Sequence, residues 1–146
     1  MSHSFRILQS DTDIESAYGL AAVLRPHLQR ESFLPQVRKQ YADGYRLCGL
    51  FTPELVCLAG FRTSCTLSRG PHLFVDDLVT CPAQQGQGHG SAMLRWLARY
   101  AREQNLPAIY LDSRDTAQQF YRRIGFEFLT AIPCRIPVDH LLNTPT

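Results

Sequence analysis

Hydrophobic and polar positions in the first third of the chain follow two different periods. Residues 5–9 alternate apolar and polar side chains and predict a strand, and the "SDTD" that follows is rich in helix N-cap residues. From Asp13 onward the apolar residues recur at helical spacing, which predicts a helix that ends before Pro26. A second helix is predicted over residues 35–42, with Pro35 in its first turn and an Asp-Gly pair at its end.

Three strands are predicted in the middle of the chain. Residues 45–51 and 55–65 are mostly apolar, and the short connection around Pro53 that separates them is typical of a hairpin. The third strand covers residues 72–80 and ends at a Cys-Pro pair.

Helices and strands alternate in the last third of the chain. A helix is predicted over residues 88–104, a strand over 107–112, a helix over 116–124, and one or two strands over 126–138, interrupted by Pro133. The complete order is strand, two helices, three strands, helix, strand, helix and strand, without a repeat or a linker. Such an order predicts one mixed α/β domain over residues 1–146.

Composition and charge narrow the class of protein. The chain of 146 residues is 45% hydrophobic and 19% charged, which fits a folded domain and excludes general disorder. Its net charge of +2 is too small to indicate nucleic-acid binding, and its scattered histidines suggest no metal site. No segment approaches the roughly 18 consecutive apolar residues of a membrane span, and the polar N-terminus is unlike a signal peptide. Five cysteines without a CxxC pair fit reduced thiols, so a cytoplasmic protein is expected.

The sequence "QQGQGHGSAML" places three glycines at alternate positions where a predicted helix begins. Free N–H groups at a helix N-terminus attract anions, and glycines let the backbone bend and approach a ligand closely, so the pattern predicts a phosphate site. A Walker A loop is excluded because no Gly-Lys-Ser/Thr occurs. A dinucleotide site, which Asp112 at the end of the next strand would suit, is disfavoured by the G-x-G-x-G spacing and by the short chain that follows.

Two motifs resemble those of the GNAT N-acetyltransferase superfamily. "QGQGHG", at residues 85–90, is similar to its Q/R-x-x-G-x-G/A acyl-CoA signature, and the preceding "FVDDLVT" resembles its central strand. "AQQFYRRIGFE", at residues 117–127, is similar to its C-terminal A-x-x-[FL]-Y-x-[KR]-x-GF motif. The resemblance implies a mixed, mostly antiparallel sheet, splayed between two strands and flanked by about four helices. It also implies transfer of an acetyl group from acetyl-CoA, as co-substrate, to a primary amine by direct attack in a ternary complex.

By this resemblance the coenzyme A site would be built largely from backbone. Pantetheine would pair with the strand at Leu78, Val79 and Thr80, and an N–H near Leu78 would polarise the thioester carbonyl. The pyrophosphate would lie against the amides of seven consecutive residues: Gln85, Gly86, Gln87, Gly88, His89, Gly90 and Ser91. Gln85 brings no charge where many relatives have Arg, and the His89 side chain is expected to face solvent. Arg122 and Arg123, the latter at the motif's basic position, would approach the nucleotide phosphate or else lie solvated at the surface.

Two residues are candidates for proton transfer. Tyr121 matches the tyrosine that donates a proton to the departing thiolate, for which a phenol of pKa about 10 suffices, while Phe120 and Phe126 are expected in the core. Carboxylates such as Asp76 and Asp77 are unfavourable in an apolar strand unless they have a function there. Strand alternation places the two on opposite faces. Asp76 lies where some relatives carry a base, or a water relay, beside the acceptor. Alternatively, both acids pair with nearby arginines or cap the backbone at a bulge.

The acceptor amine stays open at this point. Arg114 occupies a position where many relatives have Asn, so an Asn-dependent contact is not implied. Residues 24–44 would select the acceptor but contain no recognisable motif, so small-molecule and peptide amines both remain open, as does a homodimer. Two other functions also remain open. One is a non-catalytic module that binds or senses acyl-CoA, and the other is a dinucleotide-binding oxidoreductase.

Overall fold

A five-stranded sheet organises the first of two units in the protein, which ends at Asp112. The computed structural model describes residues 3–145, and the second unit begins at Ser113. The strands lie side by side in chain order: β1 (Ser4–Ile7), β2 (Tyr45–Phe51), β3 (Leu55–Thr66), β4 (Gly70–Thr80) and β5 (Ile109–Leu111). Neighbouring strands from β1 to β4 pair antiparallel, and β5 pairs with β4 in parallel, which confirms the predicted mixed, mostly antiparallel sheet.

The first unit also holds four α-helices. They are α1 (Asp11–Ser16), α2 (Tyr18–Leu24), α3 (Arg30–Ala42) and α4 (His89–Glu103). Ser10 caps α1, because its hydroxyl accepts a hydrogen bond from the Asp13 N–H at 3.1 Å, as the polar run before the helix predicted. The single helix predicted from Asp13 is in fact two helices, since a ψ of −9° at Ala17 turns the chain between them.

Helix α3 starts five residues before the predicted helix. The prediction placed Pro35 in the first turn, but Pro35 lies inside the helix, which begins at Arg30. Phe33 and Val37, four residues apart on one face, are both buried. The packing of these two side chains stabilises the helix around Pro35, which cannot donate the usual backbone hydrogen bond.

Hydrophobic residues pack on both faces of the sheet. One cluster joins the first three helices to the sheet and consists of Leu8, Ile14, Ala17, Phe33, Val37, Tyr45, Leu47, Leu58 and Val79. Helix α4 lies against β3 and β4, and Tyr100 meets the buried Phe61 edge to face with ring centroids 5.3 Å apart. Its arginines at 95, 99 and 102 are exposed. The core is therefore formed by apolar residues at strand and helix periods, as the sequence predicted.

Strands β4 and β5 stay together over only a short length. Leu73, Phe74 and Val75 pair with the whole of β5, whereas residues 76–80 continue beyond it. On the β5 side, no strand among the described residues pairs with this segment, although β3 pairs with it on the other side. Strand β4 thus extends beyond the end of β5, and the expected splaying of these two strands stays a prediction.

The second unit contains α5 (Gln118–Ile124), α6 (Val138–Asn143) and a short 3-10 helix (Asp115–Ala117). Gly125 ends α5 in the left-handed conformation, with φ of +113°, and its N–H donates to the Tyr121 carbonyl at 3.2 Å. The strands predicted over residues 126–138 are wrong, because residues 113–145 contain no strand. Pro133 and Pro137 lack the N–H that a ladder requires, and helix α6 was not predicted.

The five cysteines are free thiols, and we expect them to differ in reactivity. Burial raises the pKa of Cys48 to about 12 and that of Cys57 to about 11, so both stay protonated and inaccessible near neutral pH. Cys65 and Cys134 are exposed. Titration with a disulfide reagent at pH 8 should label these two at once, and Cys48 and Cys57 only after denaturant is added. Fast labelling of Cys48 or Cys57 in the native protein would contradict their burial.

Candidate active site

Strand β4 contains one extra residue relative to β3. Phe61 pairs with Val75 and the preceding Gly60 pairs with Asp77, so Asp76 has no partner of its own. This arrangement is a β-bulge, which bends a strand and re-aims its side chains. The strict alternation of side chains between the two faces of the sheet, which the sequence predicted, is interrupted at this bulge. Asp76 and Asp77 line the same cavity and do not lie on opposite faces as expected.

The cavity has a volume of about 590 Å³, which is within the range of small-molecule sites, and it belongs entirely to the first unit. Its apolar wall comes from α2, α3, the loop between them and the sheet, and it consists of Ala21, Leu24, Leu28, Phe33, Val37, Leu47, Leu58 and Val79. Its charged wall carries Asp76, Asp77, Arg25 and Arg62. Much of residues 24–44, the stretch without a recognisable motif, thus faces this space.

Each of the two aspartates is paired with an arginine. Both oxygens of Asp76 accept from Arg62, from its Nε at 2.7 Å and its Nη2 at 2.8 Å. This hydrogen-bonded pairing raises the pKa of Arg62, which stays charged. Arg25, just after α2, donates from Nε to Asp77 at 3.1 Å and from Nη2 to the Asp76 carbonyl oxygen at 2.9 Å. Pairing of both acids with arginines at a bulge was one of the alternatives, and the structure has this arrangement.

Tyr45 and Gly60 complete the support of the bulge. The Tyr45 hydroxyl donates to Asp77 Oδ2 at 2.6 Å. Burial, and next the charge of Asp77, raise the pKa of Tyr45, so the phenol remains a proton donor in this bond. A Cβ built on Gly60 would overlap the Tyr45 hydroxyl and approach Asp77 Oδ2 to 2.7 Å. Glycine is therefore required here by space.

Sequence reasoning missed Arg25, Tyr45, Gly60 and Arg62. An isolated glycine inside a strand is a known sign of a bulge or a close approach, so Gly60 could have been found. Two carboxylates in an apolar strand are also expected to pair with positively charged side chains, because an unpaired buried charge is unfavourable. The sequence does not say which cations, because Arg25 lies 51 residues from Asp76 and Arg62 lies 14 residues from it.

Beyond the bulge, the outer edge of β4 presents free backbone groups. The Cys81 N–H donates to the Val56 carbonyl at 2.8 Å, and the register with β3 is regular from Asp77 to Thr80. Backbone groups of alternate residues in an antiparallel pair point to the partner strand, so those of Val79 point to β3. The N–H and C=O of Leu78 and Thr80 therefore point to the opposite edge, where β5 has ended.

The glycine-rich stretch forms a turn that leads directly into α4. After a 3-10 helix at Pro82–Gln84, Gly86 and Gly88 adopt φ of +81° and +82°, which favours glycine. Gly88 is the N-cap and offers no side-chain cap, and the first bond of the helix runs from the Ala92 N–H to the Gly88 carbonyl at 3.0 Å. The amides at positions 89, 90 and 91 thus have no partner within the helix. These are the features of an anion site.

The His89 side chain lies elsewhere than expected. The ring is 6% exposed and does not face solvent, and it meets His3 edge to face with centroids 5.6 Å apart. Neither of its nitrogens has a hydrogen-bond partner among the described residues. As the first residue of α4, His89 turns its ring into the protein, so it can serve an anion at this turn only through its backbone amide.

Tyr121 is the buried residue of α5, in the second unit, and it is 8% exposed. Phe120 and Phe126 surround it edge to face at 5.0 and 5.3 Å between ring centroids, and both are only half-buried, so the expectation that they belong to the core was wrong. The short helices of this unit leave these two rings partly at the surface, and Tyr121 takes the inner position.

The basic residues of the second unit are exposed. Arg122 stacks over the Phe128 ring at 4.1 Å, and Arg123 lies beside it on the surface. Arg114, where relatives often have Asn, is the N-cap of the 3-10 helix and provides no side-chain cap. An arginine side chain has only donors, so it cannot accept from the helix N–H groups as Asn would.

Comparison with known families identifies the fold. A sequence model of the Acetyltransferase (GNAT) family matches residues 14–126, which include the bulge, the glycine turn and Tyr121. The chain belongs to the GNAT family. This GNAT protein is 27% identical over 125 residues to the uncharacterized N-acetyltransferase YhdJ of Bacillus subtilis, a match that covers 82% of this chain and 88% of YhdJ.

Proteins whose solved structures have a similar fold act on different acceptors. The aminoglycoside N-acetyltransferase AAC(6')-Iy, solved with CoA, has a TM-score of 0.79 at 16% identity, covering 94% of this GNAT chain and 95% of its own. The ribosomal-protein-alanine N-acetyltransferase of Brucella melitensis biovar Abortus 2308 also has a TM-score of 0.79, at 14% identity, covering 93% and 100%. Because one acts on a small molecule and the other on a protein, the fold does not identify the acceptor of this GNAT protein.

Residues 3–145 have neither a metal cluster nor a membrane-spanning helix. No group of three or more His, Cys, Asp or Glu side chains in this part of the chain is arranged to hold a metal ion. None of its helices has the length and apolar character that crossing a bilayer requires.

Proposed function

We propose that this GNAT protein transfers the acetyl group of acetyl-CoA to a primary amine, by direct attack in a ternary complex. The observation that carries the proposal is continuity along the chain. The edge of β4 at Leu78 and Thr80, which no described strand covers, leads through the glycine turn into the first amides of α4. One segment of chain thus offers an edge for an extended ligand and a terminus for its phosphates, beside a cavity large enough for a small acceptor.

The donor side of the site fits coenzyme A. Leu78 and Thr80 would pair through their outward backbone groups with the amide-rich pantetheine arm, while Val79 holds the strand to β3. Amides from Gln85 to Ser91 would receive the pyrophosphate, and Arg123 would contact the nucleotide phosphate. Acetyl-CoA supplies the activated acetyl thioester. The outward N–H of Leu78 is the donor that would stabilise negative charge on the acetyl oxygen.

Proton transfer completes the reaction. The amine nitrogen bonds to the acetyl carbon, the carbon–sulfur bond breaks, and an ammonium acceptor loses two protons in total. Asp76, which faces the cavity, would receive one of them directly or through a water molecule. Tyr121 would donate a proton to the departing sulfur and regain one from solvent. The net products are the amide, free coenzyme A thiol and one proton.

The first experiment separates this proposal from its alternatives. Acetyl-CoA at a hundredfold excess over Kd should stabilise the protein by about 2.7 kcal/mol, visible as a melting shift, whereas NAD and NADP should not. Thiol should also be released when amines are added, with the protein's own exposed thiols subtracted. Stabilisation by NAD or NADP alone would support an oxidoreductase. Stabilisation by acetyl-CoA without thiol release from a broad amine panel would support a sensing module.

The glycine turn provides a second prediction. Gly88 has φ of +82°, and an added Cβ would meet nothing within 4 Å, so Gly88→Ala changes the backbone preference alone. We expect the left-handed conformation to cost about 1–2 kcal/mol and to raise the Kd for CoA about tenfold, measured by calorimetry. Gly19→Ala, also in open space but at an ordinary φ, is the matched control. Equal CoA affinity in both variants would place the phosphates away from this turn.

A further inference from the structure

We infer that the acceptor is a small amine that also carries a carboxylate and an apolar group, the chemistry of a free apolar amino acid. This inference rests on the proposed function and adds the substrate class to it. It follows from the pairing of opposite charges in the wall of the cavity. The wall offers unused donors and unused acceptors side by side, opposite an apolar surface.

The donors are the free ends of two guanidinium groups. Arg62 uses its Nε and Nη2 on Asp76, and Arg25 uses its Nε and Nη2 on Asp77 and the Asp76 carbonyl. A guanidinium has five N–H groups, and no residue in the described part of the chain accepts a hydrogen bond from the Nη1 of either arginine, so both of its hydrogens remain for a ligand. Both arginine side chains are partly exposed, 39% for Arg25 and 46% for Arg62. A carboxylate entering the cavity would find charged donors there.

The acceptors are the remaining lone pairs of Asp76 and Asp77. Each Asp76 oxygen accepts one hydrogen bond from Arg62, and a carboxylate oxygen can accept two. Asp77 is used to the same extent, because Tyr45 bonds one oxygen and Arg25 bonds the other. Both carboxylates therefore keep lone pairs that can receive an ammonium group.

Charge balance distinguishes this acceptor from a polyamine. Asp76 and Asp77 are each neutralised by an arginine in contact with them, so the bulge carries two matched pairs. Asp43 and His27 also line the cavity. A polycation would meet guanidinium charge as well as carboxylate, whereas a zwitterion meets a complementary charge at each end.

The apolar side of the cavity accounts for the third group of the ligand. Leu24, Phe33 and Val37 lie on α2 and α3, Leu28 lies on the loop between them, and Val79 lies on β4. An aliphatic side chain buried against them is removed from water, which favours binding. This surface offers a polar sugar little in exchange for its hydration.

The test compares pairs of acceptors that differ in one group. Leucine and isopentylamine share the amine and the aliphatic chain, and only leucine has the carboxylate. We expect kcat/KM for leucine to exceed that for isopentylamine by about tenfold or more, and that for spermidine by more still. A preference for isopentylamine or spermidine would overturn the acceptor inference and leave acetyl transfer intact.

A variant that changes one charge in the cavity separates a specific change in acceptor preference from a general loss of folded protein. Arg62→Gln removes one guanidinium and leaves Asp76 without its cation, so the preference should move away from leucine and towards spermidine. Arg62→Lys, which keeps the charge, should retain the preference for leucine. A purely structural effect would instead lower kcat/KM for all acceptors alike, and that result would contradict the inference.

Binding is measured separately from turnover. Calorimetry of leucine against the CoA-bound protein should show binding that Arg62→Gln weakens about tenfold. Leucine binding without thiol release would contradict the proposed function and support the acceptor site. Thiol release from other amines, with no leucine binding, would do the reverse.

Discussion

Replacing Tyr121 by Phe is expected to lower kcat by about a hundredfold or more while leaving the affinity for CoA unchanged. The proposed role of this residue is to give a proton to the departing sulfur, and general acids contribute about 10²–10⁴ to rate. Phe preserves the ring contacts with Phe120 and Phe126 and removes the hydroxyl alone. The measurement is thiol release at saturating acetyl-CoA, together with the melting shift that CoA produces.

Tyr100→Phe is the control for this variant. Tyr100 also meets a phenylalanine edge to face, in helix α4, and has no proposed role in proton transfer. Its variant should keep the wild-type kcat. A Tyr121→Phe enzyme as active as the wild type would remove the acid role from Tyr121, although the family assignment would stand.

Introducing a methyl group at Gly60 should cost the fold about 1–3 kcal/mol and disturb the cavity wall at Asp77. The new Cβ would overlap the Tyr45 hydroxyl, which cannot swing aside freely because the ring is buried and bonded to Asp77. Asp77 would lose this donor, and its pairing with Arg25 would change. Urea denaturation of Gly60→Ala should report the loss of stability, equivalent to a melting temperature several degrees lower.

The same change at Gly19 should act in the opposite direction. Gly19 lies inside α2, where an added Cβ meets nothing within 4 Å, so Gly19→Ala should stabilise the protein by about 0.5–1 kcal/mol. The two variants differ in the space around the new methyl group. If Gly60→Ala were as stable as the wild type, the close approach of Tyr45 to this strand would not constrain the fold.

Much of the fold could be predicted because its signals are local. The hydrophobic run of β2 gave its bounds, Tyr45–Phe51, without error, since the strand is buried along most of its length and flanked by turn residues. The glycines at 86 and 88 marked a helix entry, because only a left-handed backbone in this turn needs them. Predicted helix bounds were wrong where a tertiary contact outweighs a local preference. Proline favours the first turn of a helix, but Pro35 lies inside α3, because the burial of Phe33 and Val37 stabilises the helix on both sides of it.

The candidate site was harder to predict because its geometry is non-local. Nothing within residues 72–80 says that Asp76 is a bulge residue, because the bulge exists only relative to the register of β3. The partners of the two aspartates come from the end of α2 and from β2 and β3, which only the folded chain brings together. The motifs around Gly88 and Tyr121, in contrast, belong to single turns and helices and can be read from sequence.

Because of the bulge at Asp76, the geometry of β4 depends more on the number of its residues than on the identity of their side chains. Removal of Asp76 would restore regular pairing with β3, because Val75 and Asp77 already face consecutive residues of that strand. Residues 77–80 would keep their partners, but the bulge that brings two aspartates to one cavity would be lost. A substitution at Asp76 changes a charge, whereas a deletion there removes the bulge itself. Side chains along β4 can therefore vary more readily than the number of residues that β4 sets against β3.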